Sequence, residues 1–132
     1  MNFFYLHAGF MLAATIFLLA GLTVAMALRH KHWWLKAHQG TALTGTAFMA
    51  AGFAFAILFG SVSGNPHFAL PHTWLGAVTL SGIILTPALG FSQFRFPTHV
   101  KVIRQFHRWS ERLTIIMVMI TILFGAILIG IL

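Results

Sequence analysis

Four apolar runs, at residues 3–28, 35–62, 68–91 and 113–132, take up most of this 132-residue chain. Each reaches or exceeds the roughly 20 residues that a helix needs to cross a hydrocarbon layer about 30 Å thick. Hydrophobic residues make up 59% of the chain and charged ones 7%, a balance that does not belong to a soluble domain of this length. No polar run is long enough to form a second domain. The expectation is an all-α integral membrane protein, a single domain over 1–132 in the form of an up-down four-helix bundle. Its helices are expected at about 3–28, 35–62, 68–93 and 103–132.

The first run is expected to be a retained helix. Ala25-Met26-Ala27 is compatible with a processing site, but no Lys or Arg precedes the run. The run is also longer than the usual core of a cleaved signal, about 7–15 residues.

Charge orients the spans. Arg29, Lys31, Lys36, Arg95, Lys101, Arg104, Arg108 and Arg112 all lie around the first and third connections. The positive-inside rule then puts those connections in the cytoplasm and both termini on the non-cytoplasmic side of a cell (inner) membrane. Because these cations flank hydrophobic spans, they read as a topology signal and a contact with anionic membrane lipid, not as a nucleic-acid site. The chain has no cysteine, which excludes disulfides, thiolate iron–sulfur clusters and covalently attached haem.

His7, His38, His72 and His107 each stand near the start of one span. An ionisable or metal-binding side chain at such a place is expensive unless it is used. Helices one and three enter from one side, and helices two and four from the other. His7 and His72 therefore share the outer end, and His38 and His107 the inner end. In an up-down bundle alternate helices face each other across the core, so each pair can grip a flat macrocycle by both axial positions of its iron. Zinc or copper would recruit Cys, Asp, Glu or a third histidine, and the only acid here is Glu111. The expected cofactor is haem b, two per chain. Hydrogen-bonded histidine pairs without metal remain the alternative.

Several residues are candidates around those sites. Gly21 lies 14 residues after His7, and Gly52 lies 14 after His38. Fourteen steps return to within about 40° of the same face, some 21 Å along the axis. Each glycine is thus expected to face the interior near the opposite haem, or else simply to allow close helix packing. Lys36, Arg104 and Arg108 are placed to neutralise inner propionates or to meet lipid headgroups. The outer propionates are left to Asn2, Tyr5, His67, Thr73, Trp74 or water, an asymmetry that favours a higher potential at the inner haem. His30 and His32 lie in a basic turn, and His67 and His99 lie beside prolines, so all four are weaker ligands. His107 precedes its apolar run by nearly two turns, so its helix must extend into the interface.

These residues resemble the cytochrome b561 family of di-haem transmembrane electron carriers. Pro71-His72-Thr73-Trp74-Leu75-Gly76 and Gly90-Phe91-Ser92-Gln93-Phe94-Arg95-Phe96-Pro97 are similar to one of its ligand helices. His7 with Met11, and Arg29 leading through Lys36 to His38, look like its opening and its basic loop. His107-Arg108-Trp109 is the poorest match, and the six-helix layout of eukaryotic members is not repeated. The resemblance implies electron transfer across a membrane, a transmembrane oxidoreductase in enzyme terms. The donor and acceptor remain open among quinol, ascorbate and a redox protein. A cytochrome b anchor subunit that passes electrons between quinone and a partner is the alternative, as a homodimer or as part of a complex.

Overall fold

The computed structural model describes residues 3–64 and 70–131. Asn2 and His67 lie outside them. Four long helices account for nearly all the described residues: α1 (Phe3–Ala27), α2 (Trp34–Val62), α3 (Pro71–Arg95) and α4 (Val100–Leu128). All four are long and apolar enough to cross a membrane. The chain is therefore an all-α, multi-pass integral membrane protein. It divides into two compact units, Met1–Ala69 and Leu70–Leu132. Each is an antiparallel helical hairpin, called here hairpin 1 (α1, α2) and hairpin 2 (α3, α4).

The ends of the helices follow from local chemistry. Gly64 after α2 and Gly130 after α4 have φ of +67° and +72°, the left-handed conformation that glycine accepts without strain at a helix C-terminus. Past Gly130 the amide of Ile131 reaches back to Ala126 O at 3.0 Å. Pro97 pushes Phe96 out of the helical region (φ −123°, ψ 72°), so α3 stops at Arg95. A single 3-10 turn, Pro97–His99, then leads straight into α4. That helix begins at Val100, three residues ahead of 103, because the cations that interrupt the apolar run do not interrupt helical hydrogen bonding. His107 consequently sits two turns inside a formed helix. Pro87 lies within α3, a tolerated position in membrane helices where neighbouring groups re-satisfy the backbone.

The seam of each hairpin becomes plain when residues are counted from the histidine of each helix. Seven residues on stand Ala14, Gly45, Thr79 and Thr114, all buried. Eleven residues on stand Leu18, Met49, Ile83 and Val118, and the last three are 4%, 2% and 1% exposed. Alternating steps of four and three make a heptad frame, the repeat of helices that pack with a left-handed twist. Hairpin 1 closes this seam by setting small residues against large ones: a Cβ on Gly45 would stand 2.8 Å from Leu18 Cγ. Beside the seam runs a lattice of phenylalanines. Phe10 lies 5.6 Å from Phe48 and 5.3 Å from Phe55, and Phe17 lies 5.5 Å from Phe48, ring centre to ring centre. Hairpin 2 joins its helices with hydroxyls instead. Thr79 and Thr121 pair at 2.9 Å, and Thr86 meets Ser110 at 2.6 Å and Thr114 at 3.2 Å.

Candidate functional site: four reciprocally held histidines

Each of the four span histidines is half-buried, and each uses Nδ1 to hold a backbone carbonyl of the partner helix. In hairpin 1, His7 Nδ1 lies 2.8 Å from Gly52 O, and His38 Nδ1 lies 3.0 Å from Gly21 O. In hairpin 2, His72 Nδ1 lies 3.0 Å from Thr121 O, and His107 Nδ1 lies 2.9 Å from Thr86 O. A carbonyl can only accept, so Nδ1 carries the proton. The lone pair of each neutral imidazole therefore sits on Nε2, the nitrogen suited to an iron ligand. A second hydrogen bond that fixes ring orientation and tautomer is the usual partner of metal-binding histidine.

The four acceptors obey one rule. Gly21, Gly52, Thr86 and Thr121 each stand 14 residues after the histidine of their own helix. Every helix thus gives one histidine near its start and, about 21 Å further along, receives the histidine of its neighbour. Within a hairpin the two histidines stand at opposite ends. The rule was visible in the sequence for the glycine pair. Thr86 and Thr121 share that 14-residue spacing but carry no other sign in the sequence, because the acceptor is a main-chain carbonyl, which no residue type advertises.

Gly21 and Gly52 lie at the level of the partner helix's histidine, where their missing side chains let the helices close. A Cβ on Gly21 would come within 2.9 Å of Thr41 Oγ1, and one on Gly52 within 3.2 Å of Met11 and Phe10. The glycines that touch histidine rings are two others. A Cβ on Gly125 would stand 2.9 Å from His72 Cε1, and one on Gly90 would stand 3.1 Å from His107 Cε1.

The remaining candidates lie at the margins. Lys36, Arg104 and Arg108 are exposed, as are Tyr5 and Trp74. Arg104 Nε donates to Gln93 Oε1 at 3.3 Å. With Lys101, Gln105, Trp109 and Arg112, Arg104 and Arg108 line an open basic groove along α4. Arg29 donates to Ala25 O and lies over Trp34, whose ring centre is 6.4 Å from that of His38. His30 and His32 are exposed in the turn between α1 and α2. His99 is exposed at the end of the 3-10 turn, 3.0 Å from Thr98 Oγ1, and makes no contact of the kind the span histidines share. Among the described residues no three His, Cys, Asp or Glu side chains converge as they would in a site built from protein ligands alone.

Two apolar helical hairpins, each with two histidines whose Nδ1 holds a carbonyl of the partner helix, define a helical membrane protein with an ordered set of half-buried imidazoles. The family described as eukaryotic cytochrome b561 matches residues 4–131, nearly the whole chain. The chain belongs to the cytochrome b561 family, whose members transfer electrons across membranes by b-type haem. No curated protein and no solved structure matches it.

Proposed function

We propose that this chain carries electrons from one membrane face to the other through two b-type haems, each held by one histidine from each hairpin. His7 and His72 hold one, and His38 and His107 the other. The observation that carries the reading is the shared geometry of the four rings, each with Nδ1 on a main-chain carbonyl of the partner helix, the tautomer that leaves the lone pair on Nε2. The two histidines of a single hairpin are about 21 Å apart along the axis, too far to serve one iron. The order of the spans along the sequence, with alternate helices running the same way, is what supports pairing His7 with His72 and His38 with His107.

Haem supplies the one-electron couple when bound. The residues of the chain do the rest. Their carbonyl bonds hold the imidazoles in place and in one tautomer, and raise their basicity toward iron. The apolar seam keeps water from the sites. Lys36, Arg104 and Arg108 stand where they can neutralise inner propionates, while Tyr5 and Trp74 stand at the other end with Gly52 and His7 or with His72. The cation-rich connections put the His38/His107 end in the cytoplasm and both termini outside. The excess of cations there favours a higher potential at that end. Quinol, ascorbate or a redox protein is the donor class.

Pyridine haemochrome analysis with protein quantification tests the proposal, and the expected ratio is two haems per chain. A ratio near one would remove one pair, and a ratio near zero would end the reading. Direction is tested in sealed vesicles with an impermeant reductant outside and an impermeant acceptor inside. The wild-type protein should reduce the trapped acceptor, and His72→Ala should do so much more slowly.

A further inference from the structure

Fixing a histidine on iron requires two restraints, one on the ring's position and one on its rotation. The Nδ1 bond supplies the first in all four helices. In hairpin 2 a second restraint is visible. The ring edge of His72 faces Gly125, with Cε1, Nδ1 and Nε2 at 2.9, 3.2 and 3.6 Å from where a Cβ would be. The ring edge of His107 faces Gly90 in the same order, at 3.1, 3.4 and 3.7 Å. Carbon atoms in comfortable contact stand about 3.5–4.0 Å apart, so neither ring fits where it is if the glycine becomes alanine. Gly90 and Gly125 each lie 18 residues after the histidine of their own helix; the same count in hairpin 1 falls on Ala25 and Ala56. The glycine contact is thus a property of hairpin 2.

Resting on the two-haem reading above, we propose that Gly125 and Gly90 are positioning residues that set the ring planes of His72 and His107, and with them the electronic state of the two haems. The mechanism is steric. The glycine backbone is a flat wall against which the imidazole edge lies, while the carbonyl four residues earlier, Thr121 O or Thr86 O, holds the adjacent nitrogen. Ring plane and carbonyl bond are set together by one turn of helix. An added methyl forces the ring to turn about its Cβ–Cγ bond, which misaligns the Nδ1 bond and rotates the imidazole plane over the macrocycle. The relative orientation of axial imidazole planes governs the g-anisotropy of low-spin ferric iron, and the carbonyl bond tunes the potential.

The test compares Gly125→Ala and Gly90→Ala with Gly76→Ala, a glycine of α3 with nothing within 4 Å of an added Cβ. Readouts are low-temperature EPR of the ferric protein, potentiometric titration of each haem, and haem retention. Gly125→Ala should shift the largest g-value and the potential of the haem that His72→Ala removes, and weaken its retention about 10-fold. Gly90→Ala should act in the same way, but less, on the other haem, and Gly76→Ala on neither. Nitrogen NMR of labelled histidine in haem-free protein adds a readout that needs no iron: the His72 Nδ1 signal should move in Gly125→Ala. If Gly125→Ala misfolds by circular dichroism, the milder Gly90→Ala decides alone. Wild-type protein with two haems and unchanged spectra, potentials and NMR signals in both variants overturns this inference and leaves the two-haem reading standing. Wild-type protein that binds no haem sinks the parent reading instead, while the NMR comparison still decides whether the glycines set the rings.

Discussion

The two hairpins solve one problem with different chemistry. Both span with two apolar helices, and both tie each histidine to a carbonyl 14 residues along the opposite helix. Hairpin 1 fills its seam with Ala14, Gly45 and Gly52 against Leu18, Met49 and Met11, and braces it with edge-on and tilted phenylalanines. Hairpin 2 places threonine at the corresponding positions and links its helices through Thr79, Thr86, Ser110, Thr114 and Thr121. Lipid tails are as apolar as leucine, so burying apolar surface does little to hold membrane helices together. What remains is close packing or interhelical hydrogen bonding, and each hairpin leans on one of them. The geometry of the histidines is indifferent to the choice, because it runs through the main chain.

That comparison can be broken most decisively at the four span histidines. His7→Ala and His72→Ala should each remove the same haem, halving the haem content, and His38→Ala and His107→Ala should each remove the other. Redox titration of the four variants decides it. If the variants sort by hairpin instead of by end, the cross-hairpin pairing is wrong.

Smaller effects separate the two seams. Ile83→Ala in hairpin 2 should lower stability by about 2 kcal/mol, the lower end of the range for large-to-small core changes, since transfer out of water contributes little here. Unfolding in mixed micelles would measure it. Gly45→Ala in hairpin 1 should cost about 1–2 kcal/mol, because the new methyl meets Leu18 at 2.8 Å and Ala14 O at 3.2 Å. Gly40→Ala, with nothing within 4 Å, should be neutral or slightly stabilising in the same assay. A loss at Gly40 equal to that at Gly45 would mean that close packing is not what holds hairpin 1. The smallest change is expected for Thr79→Val, which removes the bond to Thr121. Its cost should be about 0.6 kcal/mol, the average for interhelical hydrogen bonds in membranes. A loss several times larger would show that the hydroxyls of hairpin 2 act as one network.

Much of this was legible in the sequence, for reasons that differ by residue. The spans were legible because a bilayer demands length and apolarity, and both can be counted. The four histidines stood out because such side chains are rare at membrane-helix ends. The start of α4 is less legible: the sequence points to about residue 103 and the helix begins at Val100, since its first turns carry Lys101 and Arg104 and look like a connection. The role of Gly21 and Gly52 was half legible. Their spacing places each on the helix face of its histidine, but no residue type shows that their carbonyls, not only their missing side chains, are what the partner histidines use. Gly90 and Gly125 passed unremarked because 18 residues is not an obvious count until the seam is seen as heptads. Nor does a sequence distinguish the glycine that meets a ring from Gly76, which meets nothing.

The 14-residue spacing between each histidine and the carbonyl it mirrors limits how this chain can change in length. Inserting one residue between His7 and Gly21 would turn one end of α1 by about 100° against the other and lengthen it by about 1.5 Å. One of the two carbonyl bonds of hairpin 1 would then break, since α2 has no matching turn to give. Insertions of seven or eleven residues keep both faces nearly in line, with a residual drift of about 20°, and one heptad adds about 10.5 Å. Both helices of a hairpin would have to take the insertion together. Single-residue insertions and deletions within the seams should therefore be lethal to the histidine–carbonyl geometry, whereas the connections can vary freely. The distance between the two ends is not a continuous variable that selection can tune by small steps. It changes in steps of two or three helical turns, and this chain occupies one allowed value.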